Sequence, residues 1–141
     1  MKPLSIYIHV PFCVRKCDYC DFASYAGRED RIAPYFCALS EEMRGWADSL
    51  CTHRVRSVFF GGGTPSLVDA GYIARALNEL RAYAEFDADA EITLEANPGT
   101  IDARKLDTYR ESGINRLSIG VQSFDAGLLA SIGRIHDPAQ A

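Results

Sequence analysis

A strand–loop–helix pattern that occurs four times constrains the fold of this chain more than any other feature. In the first unit, residues 4–10 alternate apolar and polar side chains, which predicts a strand with one apolar face. Apolar residues then recur at helical spacing from Ile32 to Trp46, and this spacing predicts an amphipathic helix. The other three units are VRSVFF with a helix at residues 73–83, EITLEA with a helix at residues 102–112, and RLSIGV with a helix that begins near Asp125. Four such units in succession are typical of an α/β fold with parallel strands and right-handed crossovers.

The predicted strands carry polar residues on the face opposite the apolar one. These residues are Tyr7, His9, Thr93, Glu95, Ser118, Gly120 and Gln122. Strands that are buried on both faces usually consist of continuous apolar runs. A polar second face therefore indicates a cavity lined for a ligand.

The unusual residues stand where the predicted strands end. Cysteines follow the first strand, glycines follow the second, Glu95 and Asn97 end the third, and Gln122 ends the fourth. In α/β barrels the sites are built at this end of the strands. A complete barrel takes ~250 residues, whereas this chain has 141 and ends early in its fourth helix. We therefore expect residues 1–141 to form an open half-barrel that is the N-terminal part of a longer domain.

Charge and hydropathy exclude two classes of protein. The formal net charge is −4 and no basic stripe is present, which argues against a general nucleic-acid binder. No stretch approaches the ~20 apolar residues of a membrane span, and the N-terminal apolar run, broken by Ser5 and His9, makes a poor signal peptide. These features predict a cytoplasmic protein, in which clustered thiols stay reduced and more often bind metal than form disulfides.

Three cysteines are the strongest chemical signal in the sequence. Cys13, Cys17 and Cys20 are spaced Cys-x3-Cys-x2-Cys. A structural zinc site usually takes four ligands in two pairs, and the remaining Cys37 and Cys51 are single residues on or near a predicted helix. A four-iron cluster held by three thiolates has one iron left to bind something else. The spacing favours the cluster, and a zinc-binding module and chance packing of thiols are the alternatives.

The cysteine motif resembles the signature of the radical S-adenosylmethionine (SAM) superfamily. That signature has an aromatic residue just before the last cysteine, and here Tyr19 precedes Cys20. The resemblance implies a partial (βα)6-type barrel and a [4Fe–4S] cluster ligated by Cys13, Cys17 and Cys20. It also implies that the open iron binds the amino and carboxylate groups of SAM, and that an electron from the cluster cleaves SAM to a 5'-deoxyadenosyl radical.

Other candidate contacts to SAM come from three loops. Glycine lets backbone N–H groups turn toward a ligand, and FFGGGTP, which follows a strand, looks like the radical SAM loop that meets the methionine amino group through Gly62, Gly63 and Thr64. The alternative is a simple tight turn. Glu95 lies on the inward face with Gln122 and is a candidate for sugar hydroxyls, and Arg134 could bind a carboxylate bidentately. Taken alone, these charges are more often solvated surface residues.

Four motifs together resemble the oxygen-independent coproporphyrinogen III oxidase family and its heme-chaperone branch. They are YIHVPFCVRKCDYCDF, FFGGGTP, LEANPGT and LSIGVQSFD with IGRIHD. The resemblance implies that SAM is contacted by Tyr7, Tyr19, Gly62, Gly63, Thr64, Glu95, Gln122 and Arg134. It also implies heme or a porphyrinogen as a partner, together with an electron donor protein.

Phe22 separates the two branches of this family. The oxidase pattern has a further cysteine two residues after the third, and this chain has Phe22 there, as in the chaperone branch. We therefore expect a protein that delivers heme. The alternative is an oxidase that converts propionate side chains to vinyl groups. SAM cleavage is expected in both cases, and the chain is an oxidoreductase only in the second.

Overall fold

A four-stranded parallel sheet organises residues 1–141 of the computed structural model. Its strands, in their order across the sheet, are β1 (Lys2–Val10), β4 (His53–Gly62), β5 (Glu85–Ala96) and β6 (Arg116–Ile119). A two-stranded parallel sheet is formed by β2 (Phe12–Cys13) and β3 (Tyr25–Ala26). The helices are α1 (Ile32–Gly45), α2 (Ala47–Leu50), α3 (Ala70–Tyr83), α4 (Ala103–Ser112) and α5 (Ala126–Ser131). Two short 3-10 helices cover Glu29–Arg31 and Pro65–Leu67. The predicted α/β fold with four strand–helix units is confirmed.

The register of the sheet brings the carboxyl ends of all four strands to one edge. Val10 pairs with Gly62 across β1 and β4, and Phe60 pairs with Leu94 across β4 and β5. Ala96 pairs with Ile119 across β5 and β6. Because the strands are parallel, the loops that leave them all emerge at this edge.

Helices cover one face of the sheet. Val58, Phe60 and Leu94 are at most 1% exposed on this face, and they share one apolar core with Ile73 and Leu77 of α3. Burial of a side chain of this size contributes about 1.5–3 kcal/mol. The opposite face has no covering layer within residues 1–141, and Tyr7 on it is 57% exposed. This one-sided arrangement is the expected open half-barrel.

Aspartate is the N-cap residue of three helices. The carboxylate of Asp69 accepts a hydrogen bond from the Gly71 N–H, and that of Asp102 accepts one from the Lys105 N–H. Asp125 does the same for the Leu128 N–H at the start of α5. An N-cap of this kind contributes about 1 kcal/mol, and it fixes the point at which each loop ends.

Several predicted boundaries differ from the structure. Trp46 was expected on the buried face of α1, but it is the C-cap residue and is 59% exposed. The first two glycines of GGGTPS belong to β4 rather than to a loop, and β6 ends at Ile119, before the predicted Gly120 and Val121. Thr93 was expected to line the cavity, but it is fully buried and donates a hydrogen bond to Glu91 Oε1 (3.0 Å).

None of the helices combines the length and the apolar character that a bilayer crossing requires.

Candidate functional site

One cavity of about 350 Å³ opens at the carboxyl edge of the sheet. The cysteine-bearing loop, the ends of β4 and β5, and the segment after β6 all contribute to its wall. Among its lining residues are Cys13, Cys17, Tyr19, Cys20, Phe22, Gly62, Gly63, Thr64, Glu95, Asn97, Gly120, Gln122 and Arg134. The cavity therefore brings together every predicted site residue except Tyr7.

The cysteine-bearing loop is closed at its base by the small β2–β3 sheet. Phe12 pairs with Tyr25 and Cys13 with Ala26, and the Tyr25 N–H donates to the Pro11 carbonyl (2.7 Å). Within the loop, the Cys20 N–H donates to the Cys17 carbonyl (3.0 Å), which forms a turn. All three cysteines are half-buried and free, so their thiols face the cavity on a loop that is fixed at both ends.

His9 connects this loop to the sheet. Its Nε2 lies 2.7 Å from the Ala23 carbonyl oxygen and its Nδ1 lies 3.0 Å from the Tyr7 hydroxyl. A carbonyl only accepts, so Nε2 carries the proton and Nδ1 accepts from Tyr7. Burial, and secondarily the charge of Glu95, raise the pKa of Tyr7. Tyr7 does not line the cavity and is connected to the cysteine-bearing loop through His9, and its contact with SAM stays a prediction.

The glycine segment packs directly against the start of the cysteine loop. The Gly63 N–H donates to the Val10 carbonyl (2.9 Å) and the Thr64 N–H to the Phe12 carbonyl (2.8 Å), while the Gly62 N–H donates to Glu95 Oε2 (3.2 Å). A Cβ atom on Gly63 would lie 2.7 Å from the Phe12 oxygen. These three N–H groups are therefore engaged within the protein in this structure, and contact of Gly62, Gly63 and Thr64 with SAM stays a prediction. Gly63 is needed because two backbones approach closely there, whereas a Cβ atom on Gly62 would collide with the His9 imidazole.

Glu95 and Gln122 face the cavity from adjacent strand ends. Glu95 is half-buried and pairs with Ser118 in the sheet. Gln122 has φ of 69°, and it is the one residue other than glycine in the left-handed region. Such backbone strain is often found at functional sites. The structure therefore places a carboxylate and an amide in the same cavity as the three thiols.

Arg134 reaches across the cavity from the segment that follows α5. Its Nη1 donates to the Cys17 sulfur (3.4 Å) and to the Tyr19 hydroxyl (3.5 Å). Its Nη2 donates to Asn97 Oδ1 (2.8 Å) and to the Gly120 carbonyl, and its Nε is buried without a partner. Burial raises the pKa of Tyr19, and so does Cys17, whereas Arg134 opposes this shift. Arg134 is thus a cavity residue rather than a surface charge.

Sequence reasoning gave no role to a hydrogen-bonded cluster beneath the cavity. Asn97 donates through Nδ2 to Thr64 Oγ1 (3.0 Å), and its backbone N–H donates to Ser66 Oγ (3.3 Å). The Lys105 ammonium donates to the Ser66 carbonyl (2.6 Å) and to the Thr100 carbonyl (3.1 Å), and burial lowers the pKa of Lys105. The position of Asn97 at the end of a predicted strand could have indicated a site residue, because the carboxyl ends of parallel strands meet at one edge of the sheet.

The donor set fits an iron–sulfur cluster. No group of three or more His, Cys, Asp or Glu side chains surrounds a single ion position, whereas a cubane binds each thiolate at a separate iron. Thr64 Oγ1 lies 3.7 Å from the Cys13 sulfur and Arg134 Nη1 lies 3.4 Å from the Cys17 sulfur. Two thiolates thus have hydrogen-bond donors, which stabilise cluster-bound sulfur. The buried, unpartnered Nε of Arg134 would be satisfied by an anionic ligand group.

A parallel half-barrel with three cysteines at its carboxyl edge defines the class of protein. Residues 7–141 match the radical SAM superfamily, and the chain therefore belongs to this family. Members of the family use a [4Fe–4S] cluster and SAM, and this membership favours the cluster over the zinc alternative.

Individual proteins within this family are similar to the chain over almost its whole length. The heme chaperone HemW of Haemophilus influenzae is 44% identical over 146 residues, with 100% of this chain and 38% of that protein covered. HemW of Escherichia coli is also 44% identical, over 142 residues and with the same coverage. Among solved structures, the coproporphyrinogen III oxidase HemN of Escherichia coli, described as a radical SAM enzyme, has a TM-score of 0.90 at 35% identity. That match covers 99% of this chain and 32% of HemN, so the chain spans less than two fifths of these relatives.

Proposed function

We propose that this chain is the cluster- and SAM-binding part of a cytoplasmic heme chaperone. The observation that carries the proposal is the single cavity lined by Cys13, Cys17 and Cys20 with Phe22 beside them. The two relatives named above as heme chaperones are similar over the whole chain. Thiolates that hold a cluster must stay reduced, which favours the cytoplasm.

The three cysteines would hold the cluster through three of its irons. When bound, the cluster supplies an open iron for SAM and an electron for its cleavage. The chain's own residues would then position SAM. An ammonium group only donates hydrogen bonds, so on this segment it would meet carbonyl oxygens or the Thr64 hydroxyl rather than N–H groups.

Arg134 would bind the methionine carboxylate of SAM. Its Nη1 and Nη2 groups already donate to the protein, and its Nε is the donor that has no partner, so this N–H would donate to a carboxylate oxygen. Glu95 and Gln122 would accept or donate to the ribose hydroxyls. Tyr7 and Tyr19 would complete the SAM site next to the cysteine-bearing loop, with their division of contacts left open.

Phe22 favours heme delivery over oxidation of a porphyrinogen. Its side chain is 65% exposed and lines the same cavity as the cysteines. A phenyl ring can neither ligate iron nor exchange a hydrogen atom as a thiol does. An oxidase step that needs a thiol at this position would therefore fail, while the cluster and the SAM site would remain.

A second candidate function is oxygen-independent coproporphyrinogen III oxidation. The TM-score of 0.90 to HemN supports it, because 99% of this chain matches that enzyme. The two functions share the cluster and SAM, and an electron donor protein is proposed for both. They differ in whether heme is bound or a porphyrinogen is turned over.

An anaerobic assay separates the two functions. The reconstituted protein is incubated with coproporphyrinogen III, SAM and a strong reductant, and products are separated by chromatography beside a known oxidase. We expect the full-length protein to bind heme that is added in a separate incubation and followed by absorbance, and to show slow SAM cleavage and no divinyl product in this assay. Repeated turnover to that product would contradict the chaperone proposal, and a gain of turnover by Phe22→Cys would identify this position as the cause.

A further inference from the structure

Asn97 is the one side chain that contacts both hydrogen-bond donors of the cysteine sulfurs. Its Nδ2 donates to Thr64 Oγ1 (3.0 Å), and its Oδ1 accepts from Arg134 Nη2 (2.8 Å). Thr64 Oγ1 in turn lies 3.7 Å from the Cys13 sulfur, and Arg134 Nη1 lies 3.4 Å from the Cys17 sulfur. A single amide is therefore connected to two of the three cysteines.

The chemistry of the partners fixes the orientation of this amide. A guanidinium only donates, so the amide oxygen must face Arg134 and the NH2 group must face Thr64. The Thr64 hydroxyl then accepts from Asn97, and its own hydrogen is left to point at the Cys13 sulfur. The same amide oxygen accepts from Nη2 of Arg134, which leaves Nη1 directed at the Cys17 sulfur.

The backbone of Asn97 is itself held on both sides. Its N–H donates to Ser66 Oγ (3.3 Å) and its carbonyl accepts from Thr100 Oγ1 (2.7 Å). The Lys105 ammonium donates to carbonyls of the same two residues (2.6 and 3.1 Å). The amide is thus fixed in place before any ligand is present.

We propose that Asn97 is a positioning residue that aims the Thr64 hydroxyl and the Arg134 guanidinium at the cysteine sulfurs and thereby sets the reduction potential of the cluster. The proposal rests on the proposed function, since it requires a cluster on Cys13, Cys17 and Cys20. Reduction adds negative charge that is shared by the thiolates. Hydrogen bonds to the sulfurs stabilise this charge and raise the potential.

A double-mutant cycle on the reconstituted protein tests this role. Asn97→Asp keeps the acceptor for Arg134 but removes the donor to Thr64, so the Thr64 hydroxyl turns its hydrogen to the new carboxylate and away from Cys13. Thr64→Val removes the same hydrogen bond directly. The midpoint potential of each variant and of the double variant is measured by redox titration with electron paramagnetic resonance detection.

We expect both single variants to lower the potential, and Asn97→Asp to lower it less in the Thr64→Val background. The added charge is the same in both backgrounds, so the difference between them reports the Thr64 hydrogen bond alone. Loss of one such bond to a charged group should lower the ratio of reduced to oxidised cluster roughly tenfold at a fixed potential, or about 59 mV for a one-electron couple. Asn97→Ala removes the hydrogen bonds to both Thr64 and Arg134 without adding charge. In the wild-type background it should therefore lower the potential more than Thr64→Val does.

Asn78→Asp is the matched control, because it adds the same charge on the exposed side of α3 and should leave the potential unchanged. Fully additive effects of Asn97→Asp and Thr64→Val would overturn the positioning role, as would a wild-type potential in Asn97→Ala. Loss of the cluster from both Asn97 variants would also overturn it, since Asn97 would then be needed for assembly. Failure of the unsubstituted protein to bind a cluster would instead contradict the proposed function.

Discussion

Gly62→Ala is predicted to loosen the attachment of the cysteine-bearing loop. A Cβ atom at this position would lie 2.4 Å from His9 Cε1 and 2.5 Å from His9 Nδ1, and the φ of Gly62 is +109°. Real Cβ contacts are essentially never shorter than 3.0 Å, so the imidazole must move. His9 would then lose its hydrogen bonds to the Ala23 carbonyl (2.7 Å) and the Tyr7 hydroxyl (3.0 Å).

The magnitude follows from these two effects. The left-handed backbone costs roughly 1–2 kcal/mol for a residue with a Cβ, and each lost hydrogen bond costs about 0.5–1.5 kcal/mol. The free energy of unfolding should therefore fall by about 2–5 kcal/mol. This is a large part of the ~5–15 kcal/mol that stabilises a typical domain.

Two other glycines serve as controls that separate the backbone strain from the steric clash with His9. Gly27 has φ of +67° with nothing within 4 Å of its Cβ position, and Gly45 has open space and an ordinary φ. Gly27→Ala should therefore lose only the backbone part, and Gly45→Ala, at the end of α1, should be neutral or slightly stabilising. Urea denaturation gives the three free energies, and iron content after reconstitution should fall in Gly62→Ala alone. Equal stabilities of the Gly62 and Gly27 variants would refute the role of His9 in this argument.

Three further predictions concern the thiols, the guanidinium and a buried phenol. Changing Cys13, Cys17 or Cys20 to Ala should abolish binding of about four irons and the absorbance near ~400 nm, whereas Cys37→Ala and Cys51→Ala should keep both; an equally essential Cys37 would contradict the three-ligand assignment. Arg134→Ala should weaken SAM binding by about 1.5–3 kcal/mol in calorimetry, and an unchanged affinity would exclude a contact to the carboxylate. Burial raises the pKa of Tyr109 to about 12, so ionisation of this phenol does not reduce the stability of the fold below pH ~10, and stability is lost as the pH rises from there through about 12. Its hydroxyl has no hydrogen-bond partner, so Tyr109→Phe should stabilise the protein by about 1 kcal/mol at pH 7 and remove this alkaline loss; a variant with an unchanged alkaline profile would assign the loss to other groups.

The parts of the fold that repeat along the sequence were predictable from it. Alternation in β1 and helical spacing in α1 report which side of each element is buried, and the cysteine motif is local enough to be recognised by spacing. The end of α1 was less predictable, since Trp46 continues the apolar spacing although it stands at the C-cap. Periodicity shows which face is apolar and does not show where the helix stops.

Contacts between loops that lie far apart along the chain could not be predicted from the sequence. The N–H groups of Gly63 and Thr64 are taken by carbonyls of Val10 and Phe12, because the parallel register places the end of β1 beside the end of β4. Arg134 meets Cys17 although 117 positions separate them. Asn97 could be placed at the correct edge, but its contacts to Thr64 and Arg134 depend on side-chain directions that spacing does not encode.

The wide sequence separation across the cavity has a consequence for biosynthesis. At ~5–20 residues per second, a ribosome adds Arg134 about 6–24 s after Cys13. From the addition of Cys20 onward the nascent chain carries all three thiols, while the donors that stabilise two of them, Thr64 and Arg134, are still missing wholly or in part. Iron delivered early would meet a flexible motif with thiols open to oxidation or to other metals. The thiols therefore meet iron inside their finished surroundings only if the cluster is inserted after Arg134 has been added and has folded into place.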